Sequence, residues 1–175
     1  MNPTPRDAAA ADIPAITEIY ARYVLETTAN FEETAPDAAT MAARWRAVVD
    51  AGWPWLAAEV DGALLGYAYA AHYRPRPAYR FTLEDSIYLA PQAQGRGLGS
   101  ALLGALIARC EAAGARRMIA VIGDPDAMPA SIALHRRFGF AEVGRLPGVG
   151  WKLGGWRDTL QMQRALGPGA SAPPA

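Results

Sequence analysis

The segment Leu89–Gly114, LAPQAQGRGLGSALLGALIARCEAAG, constrains the fold more than any other part of the chain. A strand-like run, YRFTLEDSIYLA, ends just before Pro91. Glycines at alternate positions (Gly95, Gly97, Gly99) then lead into an aliphatic segment with Leu102, Leu103, Leu106, Ile107 and Cys110 at helical spacing. Glycine inside a helix costs about 1 kcal/mol relative to alanine, so glycines at a helix start work against folding. The placement makes sense in a strand–turn–helix unit whose backbone N–H groups close around a phosphate, helped by the helix dipole. At the level of this short motif, a plain glycine-rich turn is the competing reading.

The elements around it alternate. DIPAITEIYARYVLETT predicts a first helix capped by Asp12, with Pro14 in its first turn and Ile13, Ile16, Ile19, Tyr20 and Tyr23 as its apolar stripe. DAATMAARWRAVVDAG predicts a second helix, capped by Asp37 and stopped near Gly52. Two strands joined at Asp61-Gly62, a hairpin signal, follow in WPWLAAEVDGALLGYAYAAHY. After the glycine segment, closed by Gly114, come a strand (RMIAVIG), a short helix (PASIALHRRF) ended by Gly139, and two last strands (AEVGRLP and RDTLQMQRAL). The mixture predicts a single α+β, or mixed α/β, domain over residues 1–166, with the Gly/Pro/Ala-rich stretch 167–175 disordered.

Composition narrows the function. Lys+Arg and Asp+Glu balance at 17 each, leaving no basic field for a nucleic-acid backbone. The one cysteine forms no internal disulfide, which fits a reducing compartment. No apolar run approaches the roughly 18 residues of a membrane span, and MNPTPRDAAAAD does not read as a signal peptide. The expectation is a cytoplasmic protein without nucleic-acid or membrane partners.

Three phosphate-loop patterns compete for the glycines. A P-loop requires G-x-x-x-x-G-K-[ST], and Gly99 is followed by Ser100 and Ala101 without a lysine. A dinucleotide fingerprint requires G-x-G-x-x-G, whereas Ser100 stands at the third glycine position. The remaining pattern, Gln94-x-x-Gly97-x-Gly99 between strand and helix, resembles the pyrophosphate loop of the GNAT superfamily of N-acetyltransferases. The resemblance extends along most of the chain and is nearest to the phosphinothricin and methionine sulfoximine (or sulfone) N-acetyltransferase branch. It is carried by TTANFEETAPD, YRPRPAYRFTLEDSIYL, QGRGLGSALLGALI, ASIALHRRFGF and GRLPGVGWKLGGWRDTLQMQ.

The resemblance implies a GNAT fold, a central twisted, mostly antiparallel sheet flanked by helices. It also implies acetyl-CoA as co-substrate, direct transfer without an acyl-enzyme or metal, and a homodimer with Trp151 and Trp156 as contact residues. Cofactor contacts are expected from Ile87, Tyr88, Leu89, Gln94, Gly95, Arg96, Gly97, Leu98, Gly99, Ser100, Met128 and Ser131. One departure stands out. The branch usually carries Asn-x-Ala-Ser before the LH helix, and this chain has Met128-Pro129-Ala130-Ser131. Methionine cannot replace the asparagine amide's hydrogen bond to the pantetheine arm.

Acetyl transfer to an amine needs the amine deprotonated, the thioester oxygen stabilised and the thiolate protonated. Glu84 is the expected base or ammonium anchor; alternation groups it with Ser86 and Tyr88, and puts Asp85 on the other strand face. His135 is the expected acid, with a structural histidine as the competing reading. His72 reads as a strand-end residue and Cys110 as a core residue. Substrate contacts are expected from Phe31, Glu32, Arg74, Pro75, Arg76, Glu84, Asp85 and Ser86, with Arg80 a weaker candidate. Guanidinium forks suit a carboxylate or phosphinate. The leading reading is N-acetylation of a small α-amino acid. The alternatives are acetylation of a polyamine, an arylamine or a protein N-terminus, or an idle acyl-CoA-binding sensor.

Overall fold

The computed structural model describes residues 4–93 and 95–174. Its elements run β1 (Arg6–Asp7), α1 (Ile13–Glu26), α2 (Ala38–Asp50), β2 (Trp55–Val60), β3 (Ala63–His72), β4 (Thr82–Leu89), α3 (Leu98–Ala112), β5 (Arg117–Gly123), α4 (Pro129–Arg137), β6 (Ala141–Lys152) and β7 (Gly155–Ala165). The strands form one sheet in the order β1-β2-β3-β4-β5-β7-β6. Every neighbouring pair is antiparallel except β4–β5, which is parallel. This is the mixed α/β architecture expected from the sequence.

Local signals explain most boundaries. Asp61 (φ 53°) and Gly62 (φ 79°) both adopt the left-handed conformation that a two-residue hairpin turn requires. Asp37 accepts from the Thr40 N–H at 2.7 Å and caps α2. Asp12 does not cap α1 as expected. It closes a preceding 3₁₀ turn, where its carboxylate accepts from the Ala9 N–H and is bracketed by Arg6. The last hairpin is longer than its sequence suggests. β6 continues beyond Pro147 because its ladder with β7 shifts register between Leu146 and Gly150, and an edge strand tolerates proline at such an irregularity. Beyond β7 the chain forms turns over 167–170 and bends over 171–172, with the Gly169 N–H donating to Leu166 O and Arg116 to Pro173 O.

Helices cover both faces of the sheet. α3 buries Leu98, Leu102, Leu103, Leu106, Ile107 and Cys110, each worth about 1.5–3 kcal/mol for the larger side chains. Gly66 on β3 lies against Leu98 and Leu102. α1 packs on the opposite face, where Tyr20 and Tyr23 meet Tyr88 edge-on, each at 5.0 Å between ring centres. β4 is the strand both layers share.

Candidate active site

Register divides β4 into two sets of groups. The bonds Tyr73 N–H to Thr82 O and Ala90 N–H to Leu65 O give even-numbered β4 residues to the β3 ladder. Odd-numbered residues therefore turn their main chains toward β5. That partner pairs only as far as Asp85 and Ala120. Beyond them the parallel strands part, and the main chains of Ile87 and Leu89 face the gap. At Leu89 both groups are engaged: the Tyr23 hydroxyl donates to its carbonyl at 2.9 Å and accepts from its N–H at 3.2 Å. Among the described residues Ile87 keeps the free pair, while Tyr88 pairs with Tyr67 and buries its ring on the α1 side.

The glycine turn sits at the end of that gap. Gly95 (φ 73°) and Gly97 (φ 82°) take left-handed conformations, and a Cβ on either would meet nothing within 4 Å. Both leave open space before the N-terminus of α3, as an anion cradle requires. Gly99 serves differently: a Cβ there would lie 3.3 Å from Leu134 and 3.5 Å from Leu89. Leu98 is buried and faces the core rather than the turn. Arg96 is exposed, and the Ser100 hydroxyl accepts from Arg137. Met128 occupies the position before α4, partly buried against the core, and its carbonyl accepts from the Ser131 and Ile132 N–H groups. Gln94, also expected at the cofactor, lies outside the described residues.

The even-numbered side chains of β4 line a cleft on the α1 side. Glu84 stands opposite Ala71, Ser86 opposite Tyr69 and Tyr88 opposite Tyr67. Trp55 stacks on Tyr69 at 4.0 Å, extending an aromatic floor. Burial pushes the Glu84 carboxyl up to about 7; the neighbouring Asp85 adds to the rise and Arg74 opposes it. Among the described residues no hydrogen bond engages that carboxyl.

Asp85, expected at the substrate, is placed elsewhere. It points to the α3 side, where its carboxylate meets His135 Nε2 at 3.0 Å. The other ring nitrogen, Nδ1, donates to Ser131 O at 2.8 Å. His135 is 4% exposed and Asp85 6%. Desolvation is the largest single effect and acts against the imidazolium, but the hydrogen bond and charge of Asp85 and the Ser131 carbonyl together outweigh it and raise the His135 pKa. With both nitrogens committed, no ring N–H is left for a departing thiolate. His135 instead ties α4 to β4.

The loop between α1 and α2 closes the far side of the cleft. Glu32 accepts from the Tyr20 hydroxyl at 2.8 Å and from Arg44 at 2.7 and 3.1 Å, one bond to each carboxylate oxygen. Phe31 covers Gly150, where a Cβ would come within 2.4 Å of its ring. Lys152, 2% exposed, donates to Asn30 O at 2.8 Å and Asn30 Oδ1 at 3.1 Å, fastening the loop to β6. Of the arginine loop, Arg74, Pro75 and Arg76 are exposed, and Arg74 lies over the Tyr73 ring at 5.0 Å. Arg80 stacks on Phe81 and donates to Pro77 O. Tyr23, Arg44 and Lys152 were not singled out by sequence as site residues; apart from the apolar stripe that includes Tyr23, no local pattern marks them. Among the described residues no group of three His, Cys, Asp or Glu side chains converges as a metal site, and no helix is long and apolar enough to cross a membrane.

Residues 15–140 match the Acetyltransferase (GNAT) family. The chain belongs to that family. It is 56% identical over 163 residues to the phosphinothricin N-acetyltransferase of Alcaligenes faecalis, covering 93% of this chain and 82% of that protein. Identity to the L-methionine sulfoximine/L-methionine sulfone acetyltransferase of Pseudomonas paraeruginosa is 44% over 174 residues, covering 99% and 100%. A GNAT superfamily phosphinothricin acetyltransferase from Sinorhizobium meliloti, solved in complex with acetyl-CoA, superposes with a TM-score of 0.97 at 51% identity. That match covers 100% of this chain and 94% of the other. The gap between β4 and β5 and the open glycine turn thus belong to a GNAT acetyltransferase.

Proposed function

We propose that this GNAT enzyme transfers the acetyl group of acetyl-CoA directly, without a metal, to the α-amine of a small amino acid of the phosphinothricin, methionine sulfoximine or methionine sulfone type. The observation that carries the reading is Glu84, half-buried at the cleft beside the β4–β5 gap, with its pKa raised to about 7. A carboxylate of that basicity accepts an ammonium proton near neutral pH. The names of the relatives supply the substrate type.

Acetyl-CoA brings an activated thioester carbonyl. The residues present fit it: the unpaired main chain of Ile87 offers an N–H and a C=O along the gap. The turn at Gly95 and Gly97, with the first N–H groups of α3, offers donors to a pyrophosphate. Glu84 holds the substrate ammonium and takes its proton. Arg74, whose charge is felt at Glu84, and Arg76 bind the adjacent carboxylate. Trp151 and Trp156, 54% and 67% exposed and packed edge-on at 5.5 Å, form with Val149 and Leu153 an apolar end to the β6–β7 hairpin. We assign this end to the contact between two copies, in a cytoplasmic homodimer.

Free-CoA release across methionine sulfone, phosphinothricin, spermidine, tyramine and short peptides tests the reading. The two amino acids are expected to give the highest kcat/KM. Faster turnover of spermidine, tyramine or a peptide overturns it, and acetyl-CoA binding with no thiol release from any amine points to the sensor alternative.

A further inference from the structure

The pair formed by Arg44 and Glu32 has no task in the reaction as derived so far. It is not a loose surface ion pair. The guanidinium grips both carboxylate oxygens, the Tyr20 hydroxyl donates to the same carboxylate, and Arg44 lies 5.8 Å from the centre of the Tyr20 ring. A planar fork fixed in this way has lost most of the freedom an exposed arginine would have. Only two of its five N–H groups are used on Glu32, and among the described residues the others have no hydrogen-bond acceptor.

The pair sits at the opposite end of the cleft from the base. Tyr20 packs on Tyr88, four residues along β4 from Glu84, or about 13 Å at the usual strand rise. Between the two ends lies Tyr69, opposite Ser86, and its hydroxyl feels the charges of Arg44, Glu84 and Glu32 together. An α-amino acid with a two-carbon arm and a tetrahedral oxo head spans about 6 Å from amine to head oxygen. With a hydrogen bond of about 3 Å at each end it fills about 12 Å. The Glu84–Tyr88 span of the strand is of the same order as that length.

We propose that Arg44, held in place by Glu32 and Tyr20, donates to the oxygens of the substrate's side-chain head and is a specificity-determining residue of this enzyme. The inference rests on the amino-acid reading above. Glu32 then has two effects: it orients the fork, and its negative charge beside the head works against an anionic phosphinate relative to a neutral sulfone.

The test measures kcat/KM for L-methionine, L-methionine sulfoxide, L-methionine sulfone and phosphinothricin with the wild-type enzyme and Arg44→Gln, Arg44→Lys and Glu32→Gln variants, each checked for an unchanged melting profile. Wild type is expected to rank sulfone above sulfoxide above methionine. Arg44→Gln should lower the sulfone-to-methionine ratio by about 10- to 100-fold, the worth of a hydrogen bond to a charged group, with Arg44→Lys in between. Glu32→Gln should raise phosphinothricin relative to the sulfone several-fold. Equal losses on methionine and sulfone in Arg44→Gln, or no loss on either, overturn the assignment while the amino-acid reading stands. Wild-type enzyme that acetylates none of the four overturns that reading, and this inference with it.

Discussion

Glu84 and Asp85 are neighbours with the same functional group, and the structure gives them opposite fates. Glu84 looks into a half-open aromatic cleft with no hydrogen-bond partner among the described residues, and burial raises its pKa to about 7. Asp85 looks into the α3 side, 6% exposed, in a 3.0 Å hydrogen bond to His135. One carboxylate is left without a hydrogen-bond partner among the described residues; the other joins two elements. The alternation of a strand is enough to separate the roles, because a single step along the chain reverses the face.

Removing each group in turn breaks the comparison most sharply. Glu84→Gln should lower kcat by about 10²- to 10⁴-fold, the usual worth of a general base, while calorimetry finds acetyl-CoA affinity nearly unchanged. Asp85→Ala should do the reverse, since it leaves the buried Nε2 of His135 without its hydrogen-bond partner. Denaturant titration is expected to show a loss of about 1–3 kcal/mol, with kcat falling much less in the folded fraction. The sign of its pH dependence follows from the raised His135 pKa. The pair's contribution is complete below the unfolded histidine pKa and fades as pH rises through the folded one, so the mutant's deficit should shrink at alkaline pH.

The glycine turn offers a second contrast. Gly97→Val places a β-branched residue at a φ of 82° and should raise the KM for acetyl-CoA about tenfold, if the strain costs the expected 1–2 kcal/mol. Gly99→Ala meets only the side-chain ends of Leu134 and Leu89, at 3.3 and 3.5 Å, and should change KM by less than about twofold. The last contrast returns to Glu84. A carboxyl whose folded pKa lies above its unfolded value costs stability as pH climbs between the two. Glu84→Gln should therefore melt like wild type near pH 4.5 and be more stable at pH 8, by about 1 kcal/mol after allowing for solvent screening. A constant difference across that range would show that the carboxyl does not titrate as described.

Much of this was legible in the sequence because the signals were local. Asp61-Gly62 set a hairpin, the α3 stripe set a buried helix, and alternation put Glu84 and Asp85 on opposite faces. Resemblance picked out the glycine turn. The long last hairpin was hidden by Pro147, Gly148 and Gly150, which read as a break and are absorbed at an irregularity on an edge strand. The partners of the site residues were hidden for another reason. His135 meets Asp85 across 50 positions, Tyr23 meets Leu89 across 66, and Lys152 meets Asn30 across 122. No spacing rule reaches that far. The partners of His135 are a case in point, since a motif gives the residue but not what its two nitrogens already hold.

Lys152 also orders events in time. The loop carrying Phe31 and Glu32 leaves the ribosome early, but the amine that fastens it and the glycine its ring covers belong to β6. Chains emerge from the N-terminus, and domains form as their parts become available. A nascent chain that has reached Gly123 carries the residues of the aromatic floor, Glu84 and the glycine turn, yet has none of β6 to secure the mouth of the cleft. β7, made after β6, lies between β5 and β6 in the finished sheet. A loop made early is thus fastened by a strand made late.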